Sequence, residues 1–244
     1  MPLTVRKRVR QPTRQRANAR THQPLIITID GPAGSGKSTV ARLLAKALGL
    51  TYLDTGATYR ALAYAVLRGD PSALGNVSQL VLVAHVLPLR VVPGRAGGLH
   101  VYLDALDITR AIRSEDVSRA AATISTFPEV RAVMVARQRE LAKGQGLVVE
   151  GRDTGSVVFP KAPHKFFLTA DLGIRAERRR RELLKLYGEP TPLGQIRHEM
   201  RFRDLLDQTR PVGRLVQPKG AVAIDTTHLT ARQVVERMLR RIRR

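Results

Sequence analysis

Residues Gly31 to Ser38 read G-P-A-G-S-G-K-S, a complete match to the pattern G-x-x-x-x-G-K-[ST]. The flanks constrain the fold as much as the pattern does. Leu25-Ile26-Ile27-Thr28-Ile29 precedes it, a short β-branched run. Thr39 to Leu48 follows, with apolar residues at helical spacing and Gly49 as a stop. Strand, glycine loop and helix together let backbone N–H groups curl around phosphate oxygens at a helix N-terminus. Gly31, Pro32, Ala33, Gly34, Ser35, Gly36, Lys37, Ser38 and Thr39 are therefore candidate nucleotide-binding residues. Lys37 is placed to reach the β- and γ-phosphates, and the Ser38 hydroxyl to bind Mg2+.

Strand-like and helical patterns alternate along most of the chain. A short strand opens at residue 51 and leads into Asp54-Thr55-Gly56-Ala57-Thr58-Tyr59-Arg60. A helix is expected from about Ala57 to Leu67, with Gly69 and Pro71 as stop signals. Further helices are expected at 72–84, 114–125, 128–143, 172–187 and 192–210, with a last one starting near Thr230. Strands are expected at Leu147–Glu150, Lys165–Leu168 and Ala221–Ile224. Residues 85–110 break the alternation. Val86–Val92 and Leu99–Leu103 are β-like runs around the turn Pro93–Gly98, and Asp107–Thr109 reads as a third short strand. Alternation implies an α/β fold with a parallel sheet covered on both faces, carrying a small antiparallel insert. Ligands in such sheets sit beyond the carboxyl ends of the strands. The glycine loop, Asp54-Thr55-Gly56 and Glu150-Gly151-Arg152-Asp153 each follow a strand, so the three should surround one crevice.

The 244 residues leave room for one domain with an embedded insert. There is no cysteine, which excludes a disulfide framework and thiolate metal sites. No apolar stretch is long enough to span a bilayer, so a soluble, cytoplasmic chain is expected. The net charge of +22 is concentrated in part. Residues 1–23 carry Arg6, Lys7, Arg8, Arg10, Arg14, Arg16 and Arg20 with no acid and no hydrophobic periodicity, and read as a disordered basic tail. Loose nucleic-acid binding, a transit peptide and an upstream start codon compete there with plain solvation. A second cluster, Arg237, Arg240, Arg241, Arg243 and Arg244, ends the chain. Nucleic acid is not expected as the main partner, because an aromatic content of 4% offers few stacking platforms and no N-K-x-D motif is present.

Arginines converge on the expected crevice. Moving a phosphoryl group asks for positioning and charge neutralisation more than for covalent chemistry. Each Arg–phosphate hydrogen bond is worth on the order of 1.5–3 kcal/mol. Arg60 lies on the helix opened by Asp54-Thr55-Gly56, Arg152 directly after a buried strand, and Arg131 on the helix after Pro128. Arg175, Arg178 and Arg179 are spaced to share one helix face. So are Arg203, Asp207 and Arg210. For each of these a salt bridge or a solvated face is the competing role. Glu150 is open between holding Mg2+-bound water, contacting a nucleobase and pairing with a nearby arginine. None of the six histidines has metal-ligand spacing.

The strings G-P-A-G-S-G-K-S-T, D-T-G-A-T-Y-R, F-P-E-V-R and E-G-R-D-T-G-S-V-V-F-P, in this order and spacing, resemble the bacterial cytidylate kinases over about residues 24–243. The resemblance implies a P-loop NTPase three-layer fold of the nucleoside-monophosphate kinase type. It implies a domain at 24–244 with an acceptor insert at about 85–113 and a lid at about 172–190. It implies transfer of the γ-phosphoryl group of ATP, with Mg2+, to CMP or dCMP. By position, Thr55, Arg60, Arg131, Arg152 and Asp153 would face the acceptor nucleotide. Arg60 and Arg152 would hold its phosphate, and Arg131 and Asp153 would read the cytosine edge. Arg203, Asp207 and Arg210 match the family's D-x-x-R element. Arg175, Arg178 and Arg179 would belong to the lid, Arg178 contacting the donor. Lys37, Arg60, Arg152 and Arg210 are the catalytic candidates, and a monomer is expected. Ala122 stands where the family often has a base-contacting serine, with Thr123 or Ser125 as neighbouring substitutes. A kinase for UMP, AMP or shikimate, or a nucleic-acid-binding NTPase, is the alternative.

Overall fold

The computed structural model describes residues 24–94, 98–188 and 190–243; the basic tail at 1–23 lies outside them. In chain order the elements are β1 (Ile26–Asp30), α1 (Lys37–Leu48), β2 (Thr51–Asp54), α2 (Thr55–Arg68), α3 (Val77–Val86), β3 (Leu89–Pro93), β4 (Leu99–Leu103) and β5 (Leu106–Asp107). They continue as α4 (Glu115–Ile124), α5 (Pro128–Leu141), β6 (Leu147–Gly151), β7 (His164–Thr169), α6 (Leu172–Tyr187), α7 (Leu193–Thr209), β8 (Val222–Asp225) and α8 (Ala231–Ile242).

The main sheet has the order β2-β6-β1-β7-β8, and every pairing in it is parallel. Its central strands are buried on both faces, and alternate residues serve different cores. Ile27, Ile29 and Val148 pack with Val40 and Leu44 of α1 and with Val234 and Met238 of α8. Leu147 and Val149 turn the other way, onto Leu53, Ala142 and Phe159. A period of two split between two cores is what makes these strands read as continuous apolar runs. β3, β4 and β5 form a separate antiparallel sheet. Val101 and Ile108 of this insert join the apolar body built by α2, α3, α4 and α5.

Register decides what stands at the carboxyl end of the main sheet. Asp54 lies opposite Glu150, and Asp30 opposite Gly151. The glycine loop, the Asp54-Thr55-Gly56 turn and the segment after Glu150 therefore leave the sheet side by side.

The structure departs from the expected elements in four places. The helix expected at 72–84 is a 3-10 turn at Pro71–Gly75 followed by α3, because Asn76 caps a new helix by accepting from the Gln79 N–H. The strand expected from Val86 starts only at Leu89, since Val86 is still helical and Pro88 lies between. The third insert strand is Leu106–Asp107 rather than 107–109; the Asp107 carboxylate accepts from the Thr109 N–H and turns the chain. A single π-helical turn at Thr154–Val158 was not expected at all.

Candidate active site

Gly36 caps α1 with φ 89°, so the first N–H groups of that helix face the crevice. Gly34 holds φ 72°, and a side chain there would meet the Arg175 carbonyl oxygen at 2.8 Å. The loop is tied down from two elements. Arg175 Nη1 donates to the Ala33 carbonyl (3.2 Å) and Arg178 Nη1 to the Gly34 carbonyl (3.4 Å), both from α6. The Thr226 hydroxyl, just past β8, reaches the Ser35 carbonyl at 3.0 Å.

Lys37 is buried and donates from Nζ to the Pro32 carbonyl at 2.7 Å. Burial pushes its ammonium down to about 7, and Arg152 adds to the fall; Glu150, Asp207 and Asp30 oppose it. The lysine thus lies inside the loop with too little negative charge around it. Ser38 and Thr39 are exposed at the mouth.

Two carboxylates at neighbouring strand ends line the second cavity with Ser38. Glu150 is buried and accepts from the Tyr52 hydroxyl, with the Ser38 hydroxyl close enough to favour its charged form. Burial and the neighbouring Asp54 push its carboxyl upward, against Lys37 and those hydroxyls. Asp54 is only half-buried, and Arg60, at 2.7 Å, and the Ala57 N–H outweigh its desolvation and hold it low. Among the described residues no arginine pairs with Glu150, so the ion-pair alternative for it is not realised. A hydroxyl that shares a cavity wall with two carboxylates is an all-oxygen donor set that suits Mg2+; no ready-made cluster of three or more acidic or histidine ligands exists among the described residues.

Two cavities meet over the glycine loop. The first, about 400 Å3, runs from Gly34–Val40 to Arg178, Thr226 and Leu229 and is also lined by Leu99 and Val101 of the insert. The second, about 210 Å3, lies over Thr55, Tyr59, Arg131, Arg152, Asp153, Arg203, Asp207 and Arg210. Lys37, Ser38, Asp54, Arg60, Arg113 and Arg179 line both.

A chain of alternating charges forms the floor of the second cavity. Arg131, from α5, pairs with Asp153; Asp153 lies 3.6 Å from Arg210; Arg210 reaches Asp207 at 3.3 Å; and Asp207 accepts from Arg152 Nε at 2.6 Å. Arg131, Asp153 and Arg210 are all buried. Arg210 also donates to the Gly213 carbonyl at 2.5 Å, and Gly213, at φ 68°, leaves no room for a side chain against the Arg131–Asp153 pair. The alternation is incomplete. Arg131 Nε and Arg210 Nη2 are buried without a hydrogen-bond partner, the 3.6 Å approach of Asp153 to Arg210 Nη2 being an ion pair only. Arg203 forms no hydrogen bond or ion pair among the described residues, and burial plus Arg152, Arg179 and Arg60 lower it to about 10. Buried donors without a hydrogen bond and crowded cations suit an anionic ligand.

Most residues singled out from sequence do come together here. Thr55 lines the second cavity, but its buried hydroxyl donates to the Glu150 carbonyl (2.8 Å) and ties α2 to β6. Arg178 lines the first cavity, while Arg179 lines both. Arg175 does not share their face toward the cavities. It turns inward, where Asp204 (2.7 Å) and the Ala170 and Ala33 carbonyls absorb its donors. Ala122 lines the second cavity together with Ser118 and Ser125, whereas Thr123 is exposed and its hydroxyl bonds back to Arg119. Sequence reasoning missed Asp30, Tyr52, Tyr59, Arg113 and Ser118. Tyr59, whose ring lies 5.7 Å from the Arg131 guanidinium, sat inside the D-T-G-A-T-Y-R string, and Asp30 was a lone acid closing an apolar strand.

A parallel sheet with a glycine loop after its first strand, and a second, arginine-lined cavity facing that loop, defines a P-loop kinase of the three-layer α/β class. The cytidylate kinase family model matches residues 27–244. The chain is 46% identical over 218 residues to a cytidylate kinase of Caldanaerobacter subterraneus subsp. tengcongensis, covering 89% of this chain and 94% of that one. It is 44% identical over 216 residues to one of Pelotomaculum thermopropionicum (88% and 95% covered) and 40% over 218 residues to one of Shewanella loihica (89% and 94%). The chain belongs to the cytidylate kinase family.

Proposed function

We propose that this enzyme transfers the γ-phosphoryl group of ATP to a phosphate oxygen of CMP or dCMP, giving ADP and CDP or dCDP. The observation that carries the reading is the shared wall of the two cavities. Nucleotides bound in each would bring their phosphates together over Lys37, Arg60 and Arg179. The donor takes the first cavity, with Arg178 beside the loop. The acceptor takes the second, its phosphate held by Arg60 and Arg152 and its sugar near Asp207. The orphaned donors of Arg131 and Arg210 suit the carbonyl and ring-nitrogen acceptors of cytosine, and Asp153 suits its exocyclic amine. The acceptor phosphate attacks in line and is already ionised, so the chain supplies no general base. Lys37, Arg60, Arg152, Arg203 and Arg210 stabilise the charge spread over the transferring group. Ser38, with Glu150 and Asp54 behind it, would hold Mg2+, which when bound neutralises charge on the donor phosphates. Both cavities are built within one chain, and no helix among the described residues is long and apolar enough to cross a membrane. These features support a monomer acting in the cytoplasm.

A coupled ADP-release assay tests the reading against CMP, dCMP, UMP, AMP, GMP and shikimate. Turnover fastest with the cytidine nucleotides is expected. No turnover with either of them overturns the proposal.

A further inference from the structure

Arg179 is gripped by two carboxylates where two nucleotides would need it. Its Nη2 lies 2.5 Å from Glu115 Oε1, and its Nη1 lies 3.0 Å from Glu182 Oε2. Glu182 also reaches Arg113 at 3.8 Å, and both line the two cavities with Arg179. The Glu115 contact has a different character from the Glu182 one. Glu182 sits one turn along α6, an ordinary neighbour on the same helix. Glu115 is the first residue of α4, which belongs to the apolar body that carries the second cavity; α6 packs instead with α7. The Glu115–Arg179 bond therefore crosses between the two halves of the site. Two further contacts cross as well: Arg113 to Glu182, and Arg110 Nη2 to the Leu186 carbonyl at 3.2 Å, of which the Arg110 contact touches neither cavity.

The charges around this bond favour an exchange of partners. Arg203, Arg152 and Arg60 crowd the same space, and Arg203 has no partner of its own among the described residues. Phosphates entering the second cavity bring negative charge up to Arg179, which lines it, and so toward Glu115, which is bonded to Arg179. They attract the guanidinium and repel the carboxylate. We propose that Glu115, with Glu182, holds Arg179 as a stand-in for phosphate, and that an acceptor nucleotide displaces Glu115 and so frees Arg179 and α6 for the donor. Glu115 is then a positioning residue that links the two nucleotide sites. This rests on the kinase reading above. A donor arriving alone must break the Glu115 bond itself, and its apparent affinity is lowered by that fraction of time spent held. By linkage, CMP and ATP each tighten the other's binding.

The experiment is an equilibrium titration of a fluorescent, non-hydrolysable β,γ-imido ATP analogue with Mg2+, with and without saturating CMP. The wild-type chain is expected to bind the analogue about ten-fold tighter with CMP, within the usual range of such couplings. Glu115→Gln keeps the shape and removes the charge. It is expected to bind the analogue several-fold tighter without CMP, and CMP then adds less than two-fold. Arg110→Gln cuts the crossing contact that touches neither cavity and is expected to keep the wild-type coupling. Three results overturn the inference: no coupling in the wild-type chain, wild-type coupling in Glu115→Gln, or an equal loss in Arg110→Gln, which would make the link simple docking of two surfaces. A wild-type chain that fails to phosphorylate CMP sinks the kinase reading instead, and steady-state assays on the same preparation separate the two failures.

Discussion

Lys37 is ionised only in part at neutral pH in the empty site, because burial and Arg152 bring its ammonium down to about 7. The sign of the linkage follows. Between about pH 7 and the ordinary lysine value of 10.5 the unfolded chain holds a proton that the folded chain lacks, so this group's contribution to stability rises with pH across that window. Donor phosphates supply the missing counter-charge and raise the lysine again. Donor binding at pH 8 should therefore take up close to one proton. Calorimetry of ATP-analogue binding in two buffers of different ionisation enthalpy measures this uptake. Lys37→Met should abolish it and lower kcat by about two or more orders of magnitude, in line with removing a group aimed at transition-state charge. Unchanged proton uptake in Lys37→Met would move the titrating group elsewhere, with the buried Glu150 as the next candidate.

At the scale of elements, one contact fixes the acceptor side to the sheet. Asp30, the fully buried last residue of β1, accepts from the Thr154 N–H (2.7 Å), the Thr154 hydroxyl (2.7 Å) and the Gly155 N–H (2.8 Å). These bonds pull the chain after Arg152-Asp153 into the π-helical turn and set where both side chains start. In Asp30→Asn one oxygen becomes an amide that faces donors, so at least one buried N–H loses its acceptor. A loss of about 1–3 kcal/mol in urea unfolding is expected, together with a rise in the CMP KM and little change in the ATP KM. A stability loss with both KM values unchanged would show that the turn does not position Arg152 and Asp153. This turn also marks the limit of what the amino-acid order reveals. The strand–loop–helix at Gly31–Ser38 and the strand ends at Asp54 and Glu150 were legible because their signals are local: apolar runs, glycines and caps. Asp30 and Thr154 are far apart in sequence and meet only once β1 and β6 pair, so no window of sequence shows them together. Arg175 misled for the same reason. Helical spacing puts it near Arg178 and Arg179, but Asp204, on a different helix, draws it inward.

Across the whole molecule, three apolar bodies meet at the cavities: the sheet with α1 and α8, the α2–α5 body with the insert, and the α6–α7 pair. Their buried residues lie within the span that matches the family, which begins at residue 27, and among the described residues none before Ala33 lines either cavity. Residues 1–23 lie outside the described residues and before the matching span, and they carry seven cations and no acid. Their field acts over roughly a Debye length, about 8 Å at physiological ionic strength, so at that salt they add little to nucleotide capture at a site with its own arginines. A chain lacking residues 1–23 is expected to keep kcat and the CMP KM within about two-fold and its Tm within about 1–2 °C, because the whole span that matches the family is retained. It should also elute at lower salt from a cation-exchange column, since the tail is acid-free. A fall in kcat or a rise in the CMP KM beyond that range, measured at 0.15 M salt, would mean that the tail reaches the site, and a rise that vanished at 0.5 M salt would identify the reach as electrostatic.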